Sequence, residues 1–328
     1  MLIIHHVDDD GLCSASIVAT SIRQFTDTIK FIPYNYDVEI NIGDIELRDN
    51  EEIYIVDLSL NEELLRVIKE LKATGHDRIV HIDHHKSTLD FINNLTVDDR
   101  KIVSTITTFY KIGISASLLT FIYLNMNEDE RKHPNDFNIE FGDEEKRSSL
   151  IINGTTYAVP YAISLIDDYD VFRHNYKETI HWHYGFQVEV RKEDPMSSIW
   201  GPLVFDSPTI SGKMVKKYID EGITVEKYLK AFNQAQLKKA FVVENICGTD
   251  CTTLCLNTTS TGSLIFGDDI NKFDACCTYC FNGDTGMWEY HFYSSDNGVN
   301  VTEAYAKLGV RGHAHAGGCT KTFNIFDL

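Results

Sequence analysis

Three short apolar runs in this chain end in acidic and imidazole side chains. Leu2-Ile3-Ile4 leads into His5-His6-Val7-Asp8-Asp9-Asp10-Gly11, Ile53-Tyr54-Ile55-Val56 into Asp57, and Ile79-Val80-His81-Ile82 into Asp83-His84-His85. Taken singly, each end has an ordinary reading. Asp8, Asp9 and Asp10 would be loop or helix-capping residues, Asp57 a strand-end aspartate, and His84 and His85 hydrogen-bonded histidines. Capping does not require histidines at two of the three ends, however, and the only lysine nearby is Lys86. Carboxylates gathered in this way repel one another or take up protons unless a cation neutralises them. Divalent metals meet that need, and a mixed His and Asp set suits Mn²⁺ or a similar first-row ion better than Mg²⁺ or Ca²⁺. More than four candidate ligands argue for two ions, and paired ions roughly 3.5–4 Å apart serve in-line attack on phosphorus.

The elements that must position these residues follow from the hydrophobic pattern. The first half alternates β-rich apolar runs with amphipathic stretches, the mark of βαβ units and a parallel sheet. Strands are predicted at Leu2 to His6, Thr28 to Tyr34, Glu52 to Val56 and Arg78 to Ile82, and helices at Ser14 to Gln24, Asn61 to Thr74 and Gly113 to Leu124. Ser59 or Asn61 can cap the second of these helices and Gly75 can close it, with Leu64, Leu65, Ile68 and Leu71 as its apolar stripe. Thr156 to Ile166 mixes strand and helix character, and Gly212 to Ala240 reads as a long helical connector. Short strands and turn signals follow, ending in a glycine-rich tail. In an open parallel sheet, ligands bind outside the carboxyl ends of the strands, so the three clusters should meet in one crevice.

With 328 residues and 43% apolar content, the chain can bury a large core. Its 49 acidic against 30 basic side chains give a net charge of −19, which disfavours a partner as heavily charged as long nucleic acid. A small anion met locally by metal ions is still allowed. No run is long enough for a spanning helix and the N-terminus is no signal peptide, so neither a membrane nor a secretory route is expected. The eight cysteines read as free thiols of a reducing cytoplasm, Cys277-Thr278-Tyr279-Cys280 included, and His181-Trp182-His183 is given no role. The polar stretch from Asn125 to Ser149 reads as a solvated insertion.

Together these residues carry a resemblance. His6-Val7-Asp8-Asp9-Asp10-Gly11 with Ser14-Ala15 resembles the first motif of the DHH phosphoesterase superfamily, Asp57 stands where that family has its second-motif aspartate, and Asp83-His84-His85 is its name-giving triplet. Ile166-Asp167-Asp168-Tyr169-Asp170 resembles the fourth motif, and Arg311-Gly312-His313-Ala314-His315-Ala316-Gly317-Gly318 the glycine and histidine signature of the DHH-associated C-terminal domain. The chain departs from that signature where Val310-Arg311 follow Gly309, in place of a run of glycines. Arg311 is then either a substituted phosphate contact or a side chain that crowds the pocket.

The resemblance implies an α/β fold: a parallel-sheet N-terminal DHH domain (1–195), a helical connector (196–240) and a smaller α/β substrate-binding domain (241–328), with the active site in the interdomain cleft. It implies two Mn²⁺ ions, one held by His6, Asp8 and Asp57, the other by Asp10, Asp57, His84 and Asp168. Asp168 is chosen because the family often shows Asp-x-Asp there, and Asp167 and Asp170 are the alternatives. Asp57 would bridge and serve catalysis, Asp83 would orient a ligand from behind, and His85 would face the substrate phosphate as donor or acid. Arg311, Gly312, His313, Gly317 and Gly318 would bind substrate. The implied activity is a phosphodiesterase for oligonucleotides of roughly two to five units or linear dinucleotides, as in nanoRNases. The alternatives are pAp, cyclic dinucleotides or another small nucleotide as substrate, or a non-catalytic nucleotide-binding module. A homodimer is compatible with the pattern.

Overall fold

The computed structural model describes residues 1–22, 28–36, 39–43, 45–48, 51–205 and 208–326, without the side chains of Pro208, Thr209 and Cys247. The chain divides into two units, Met1–Val225 and Glu226–Leu328. In the first, strands β1 (Leu2–His6), β2 (Lys30–Tyr34), β3 (Ile53–Val56), β4 (Ile79–Asp83) and β5 (Thr107–Tyr110) form a parallel sheet in the order β2-β1-β3-β4-β5. Leu2, Ile3, Ile4, Ile53, Ile55 and Val56 are fully buried, because a parallel sheet is covered on both faces and its strands need no polar side. Alternate residues feed two cores: Ile3, Tyr54, Val56, Val80 and Ile82 enter one, Leu2, Ile4, Ile53, Ile55 and Ile79 the other.

The helices are α1 (Asp9–Ile22), α2 (Glu62–Ala73), α3 (Lys86–Asn94), α4 (Val97–Val103), α5 (Ala116–Asn125), α6 (Glu128–Lys132), α7 (Tyr161–Asp170), α8 (Thr179–Gln187), α9 (Trp200–Val204) and α10 (Pro208–Leu237). Helix α2 matches its sequence signature: the Asn61 side chain accepts from Leu64 N at 2.9 Å, and Gly75 takes φ +87° beyond its end. Two expectations shift. Helix α1 starts at Asp9 instead of Ser14, because Asp8 caps it by accepting from Gly11 N at 2.9 Å; Arg23 and Gln24, at the expected far end, lie outside the described residues. The mixed stretch resolves into a strand, Thr155–Ala158, and then helix α7. The polar insertion contributes α6 and leads into an antiparallel sheet of β6 (Glu140–Phe141), β7 (Ser149–Ile152) and β8 (Thr155–Ala158), whose Phe141, Leu150 and Ile152 join the first core.

Helices α8 and α10 approach so closely that a Cβ on Gly185 would lie 1.8 Å from the Tyr218 carbonyl oxygen, and one on Gly222 1.7 Å from that of His181. Only glycine fits at this crossing. It fixes how closely α8 packs on α10.

The second unit holds β9 (Phe241–Glu244), β10 (Thr252–Asn257), β11 (Ala275–Asn282), β12 (Met287–Tyr293), α11 (Val301–Ala304), β13 (Arg311–His313) and β14 (Ala316–Lys321). Its sheet runs β13-β14-β12-β11-β10-β9, with β10 and β11 parallel and the other pairs antiparallel. Cys13, Cys251, Cys255, Cys276, Cys277, Cys280 and Cys319 are free thiols. Cys277 and Cys280 lie three apart on β11 and so point to opposite faces, which rules out a shared metal for that pair. No helix among the described residues is long and apolar enough to cross a membrane.

Candidate metal centre

The sheet order reverses between β1 and β3, the place where an open α/β sheet opens a crevice at the carboxyl ends of its strands. His6 ends β1, Asp8 and Asp10 enter α1, Asp57 follows β3, and Asp83-His84-His85 close β4. The backbone folds these residues inward. At Gly11 a Cβ would stand 2.4 Å from the His6 carbonyl oxygen, so the glycine lets α1 turn directly off β1. Asp57 adopts φ +57°, a left-handed conformation that few non-glycine residues take.

Three groups of ligating side chains result: His6, Asp8 and Asp57; Asp57, His84 and His85; and Asp10, His84 and Asp170. Within each, the ligand atoms lie within 4.8 Å of one another. Asp57 belongs to two groups. His6 Nδ1 is 2.8 Å from Asp8 Oδ2 and 3.7 Å from Asp57 Oδ2. His84 Nε2 is 3.4 Å from Asp57 Oδ1, 3.4 Å from Asp170 Oδ2 and 4.0 Å from Asp10 Oδ2. His6 Nδ1, both Asp57 oxygens, His84 Nε2 and Asp170 Oδ2 are buried without a well-formed hydrogen bond among the described residues. Five such atoms in one spot are costly unless something ligates them. Mixed imidazole and carboxylate donors fit first-row divalent cations.

Neighbouring groups aim these ligands. Asn35 Oδ1 lies 3.2 Å from His6 Nε2, so that nitrogen donates and leaves Nδ1 for the cluster. Asp10 is held by the start of α5, accepting from Ala116 N at 2.7 Å and Ser117 N at 2.9 Å. The fully buried Asp83, expected to orient a ligand from behind, accepts from His85 Nδ1 at 2.7 Å and also from Thr88 Oγ1. Asn35 and the Ala116 and Ser117 amides had no signal in the sequence, since each touches the cluster only through long-range folding; Thr88 lies only five positions after Asp83, on helix α3, which the hydrophobic pattern did not reveal.

Asp168 is not in the cluster, contrary to expectation. Its carboxylate accepts from Asn175 N at 2.9 Å, Tyr176 N at 3.1 Å and Thr179 Oγ1 at 2.5 Å, which uses both oxygens. Asp167 is likewise taken, by Ser115 N, Arg147 and Arg173. On helix α7 the residue two positions on from Asp168 points to nearly the opposite side, and there Asp170 meets His84.

The charges explain each other. Burial alone would raise the Asp57 carboxyl, but the imidazoles of His6, His84 and His85 outweigh it and hold the group well below the usual carboxylate range. Burial would depress His6 and His84, yet Asp57 with Asp8, and Asp57 with Asp170, push them up to about 11. Burial and the Asp57 charge push Asp10 up to about 7. Without cations, protons on the imidazoles neutralise the carboxylates.

In the second unit, Arg311, Gly312 and His313 are exposed on β13 of the β13/β14 hairpin. A Cβ on Gly312 (φ +133°) would lie 2.6 Å from the Ala316 carbonyl oxygen, and one on Gly317 2.8 Å from Val310 Cγ1. These two glycines are required by the hairpin's close packing, whatever else they do. His315 Nδ1 lies 2.8 Å from Ser294 Oγ, which ties the hairpin's turn to the residue after β12.

By sequence, the chain matches no family model and no curated protein. By structure it overlays the DHH domain of a protein assigned to a family of ribosomal proteins, with a TM-score of 0.54 at 16% identity, over 98% of this chain and 82% of that one. It has the DHH fold. RecJ of Thermus thermophilus, solved in complex with Mn²⁺, overlays with a TM-score of 0.51 at 10% identity, over 97% of this chain and 48% of that one. The two-unit arrangement of a parallel α/β sheet and a separate mixed sheet is thus one that DHH-fold proteins share.

Proposed function

We propose that this chain is a divalent-metal-dependent phosphodiesterase that hydrolyses oligonucleotides of two to five units or linear dinucleotides in the cytoplasm. The observation that carries the reading is the set of buried, unsatisfied imidazole and carboxylate atoms converging from β1, β3, β4 and α7. His6, Asp8 and Asp57 would hold one cation, and Asp10, Asp57, His84 and Asp170 a second, with Mn²⁺ best suited to the donors. Bound there, such ions lower the pKa of water and offset charge at phosphorus.

The chain's own groups do the rest. Asp83 accepts a hydrogen bond from His85 Nδ1–H, so that a protonated His85 presents its Nε2–H to the substrate phosphate or to the leaving oxygen. The Asp83 carboxylate also outweighs burial and raises the His85 pKa, which favours the protonated imidazole this role needs. The α5 amides keep Asp10 in place while charge at the centre changes. Residues 1–195 form the catalytic part, 196–240 the connector and 241–328 the substrate-binding part, where Arg311, Gly312, His313, Gly317 and Gly318 bind a further phosphate of the substrate. The acidic balance of −19 disfavours an extended strand and supports the short-substrate limit.

The test is a substrate panel with Mn²⁺: labelled dinucleotides, five-mers, twenty-mers, pAp and cyclic dinucleotides. Turnover concentrated in the dinucleotides and five-mers is expected. Turnover of the twenty-mer alone would remove the short-substrate limit, and no turnover of any member would remove the enzyme.

A further inference from the structure

The loop after Asp170 carries a feature that the metal centre does not use. Four rings follow one another: Phe172 against His174 (centroids 6.2 Å, 28° between planes), His174 against Tyr169 (5.9 Å, 12°), and Tyr169 against His183 of α8 (3.8 Å, 10°). Phe172, at the far end of the row from His183, is 55% exposed. A single exposed phenylalanine is ordinary, but this one is held out by the backbone. Phe172 and His174 take φ +55° and +52°, conformations rare for bulky residues.

Asp168 enforces that backbone. Its carbonyl oxygen accepts from Arg173 N at 3.0 Å and His174 N at 3.2 Å, and its carboxylate accepts from Asn175 N and Tyr176 N. The aspartate expected to bind metal thus builds the loop that displays the rings. Burial, helped by Lys192 and His174, pushes His183 down to about 3, so the inner ring stays neutral and can stack face to face.

Phe172 follows the ligand-group member Asp170 by two residues, which limits the distance between their Cα atoms to about 7 Å. A nucleoside covers a similar distance from its phosphate to its base. We infer that Phe172, backed by His174, Tyr169 and His183, is a stacking platform for the nucleobase next to the scissile phosphate. This deepens the proposed function and rests on it. Every base has a π-face, so such a platform holds the substrate without selecting one base.

Quenching of a dinucleotide carrying 2-aminopurine, with Ca²⁺ in place of Mn²⁺, reads the stack directly, and a matched dinucleotide lacking that base is the control. Phe172→Ala is expected to weaken binding of the fluorescent ligand about 5- to 150-fold, to leave the abasic ligand unchanged, and to be rescued by Phe172→Trp. Equal affinity of Phe172→Ala and wild type for the fluorescent ligand, or equal loss for both ligands, would overturn the platform. If the wild type hydrolyses the dinucleotide while Phe172→Ala is unchanged, only the platform fails. If the wild type neither binds nor hydrolyses it, the proposed function fails as well.

Discussion

Asp57 is buried at the end of β3 in a left-handed backbone conformation, and both of its oxygens face imidazoles without a proper hydrogen bond. That combination is expensive in a stable fold and makes sense where cations bind. The sequence made most of the cluster legible because its residues end strands, and strand ends can be read from apolar runs. It left the fourth motif open because Asp167, Asp168 and Asp170 have the same chemistry and differ only in which side of α7 they occupy. Asp170→Ala is therefore expected to cost at least about 100-fold in turnover and to weaken metal binding. Asp168→Asn should act on stability, by about 1–3 kcal/mol in thermal melts, since it disturbs buried hydrogen bonds; the reverse pattern would return Asp168 to the ligand set. Protonation gives a second expectation. With His6 and His84 pushed up to about 11, both are protonated near neutrality in the metal-free protein and must lose a proton to ligate. Metal binding should release at least about two protons at pH 7, one from each imidazole and a further share from Asp10 and Asp170, whose carboxyls burial raises, and should tighten as pH rises, which calorimetry in buffers of different ionisation heat would measure. Proton-neutral binding would contradict this.

Elements set the geometry that single residues cannot. Helix α1 turns directly off β1 because Asp8 caps it, so Asp8 both begins the helix and faces His6. In the sequence, capping and metal binding looked like competing readings of that aspartate; the structure leaves both open to it, since one oxygen caps α1 while the other faces His6. The pattern located β1, β3, β4, α2 and α10 because their apolar periods are clear. It missed α3 and α4, whose stretch Lys86 to Val103 carries many polar residues and buries only Thr88 and Val103. Strand β5 was also missed, since Thr107 to Tyr110 holds one fully buried apolar side chain, Phe109, among polar neighbours. The α8/α10 crossing had no local signal at all, as its glycines are 37 positions apart and explained only by each other. Gly185→Ala should destabilise the protein by about 3 kcal/mol or more, because the intruding methyl meets backbone and not a movable side chain. An unchanged melting temperature would mean the helices can separate at little cost.

At the scale of the whole chain, the acidic excess has a local use and a general one. Several of the 49 acidic residues converge on one site, and the net charge of −19 underlies the proposal that the substrate is short. The switch in pattern after the long helix signals a second part, yet the two units divide within α10, between Val225 and Glu226, and the role of the C-terminal glycines was only half legible. Gly312 and Gly317 serve hairpin packing, alongside the phosphate contact proposed for them together with Arg311, His313 and Gly318. His313→Ala is expected to raise KM several-fold with kcat nearly unchanged; a fall in kcat alone would take His313 out of substrate binding. The central claim is that the cluster around Asp57 is a catalytic metal centre. The measurement that tests it most directly is turnover of a labelled dinucleotide against Mn²⁺ concentration, for the wild type and for Asp57→Ala of confirmed fold. Saturable, chelator-sensitive turnover that disappears in Asp57→Ala is expected, and turnover that survives either chelation or the substitution would contradict it.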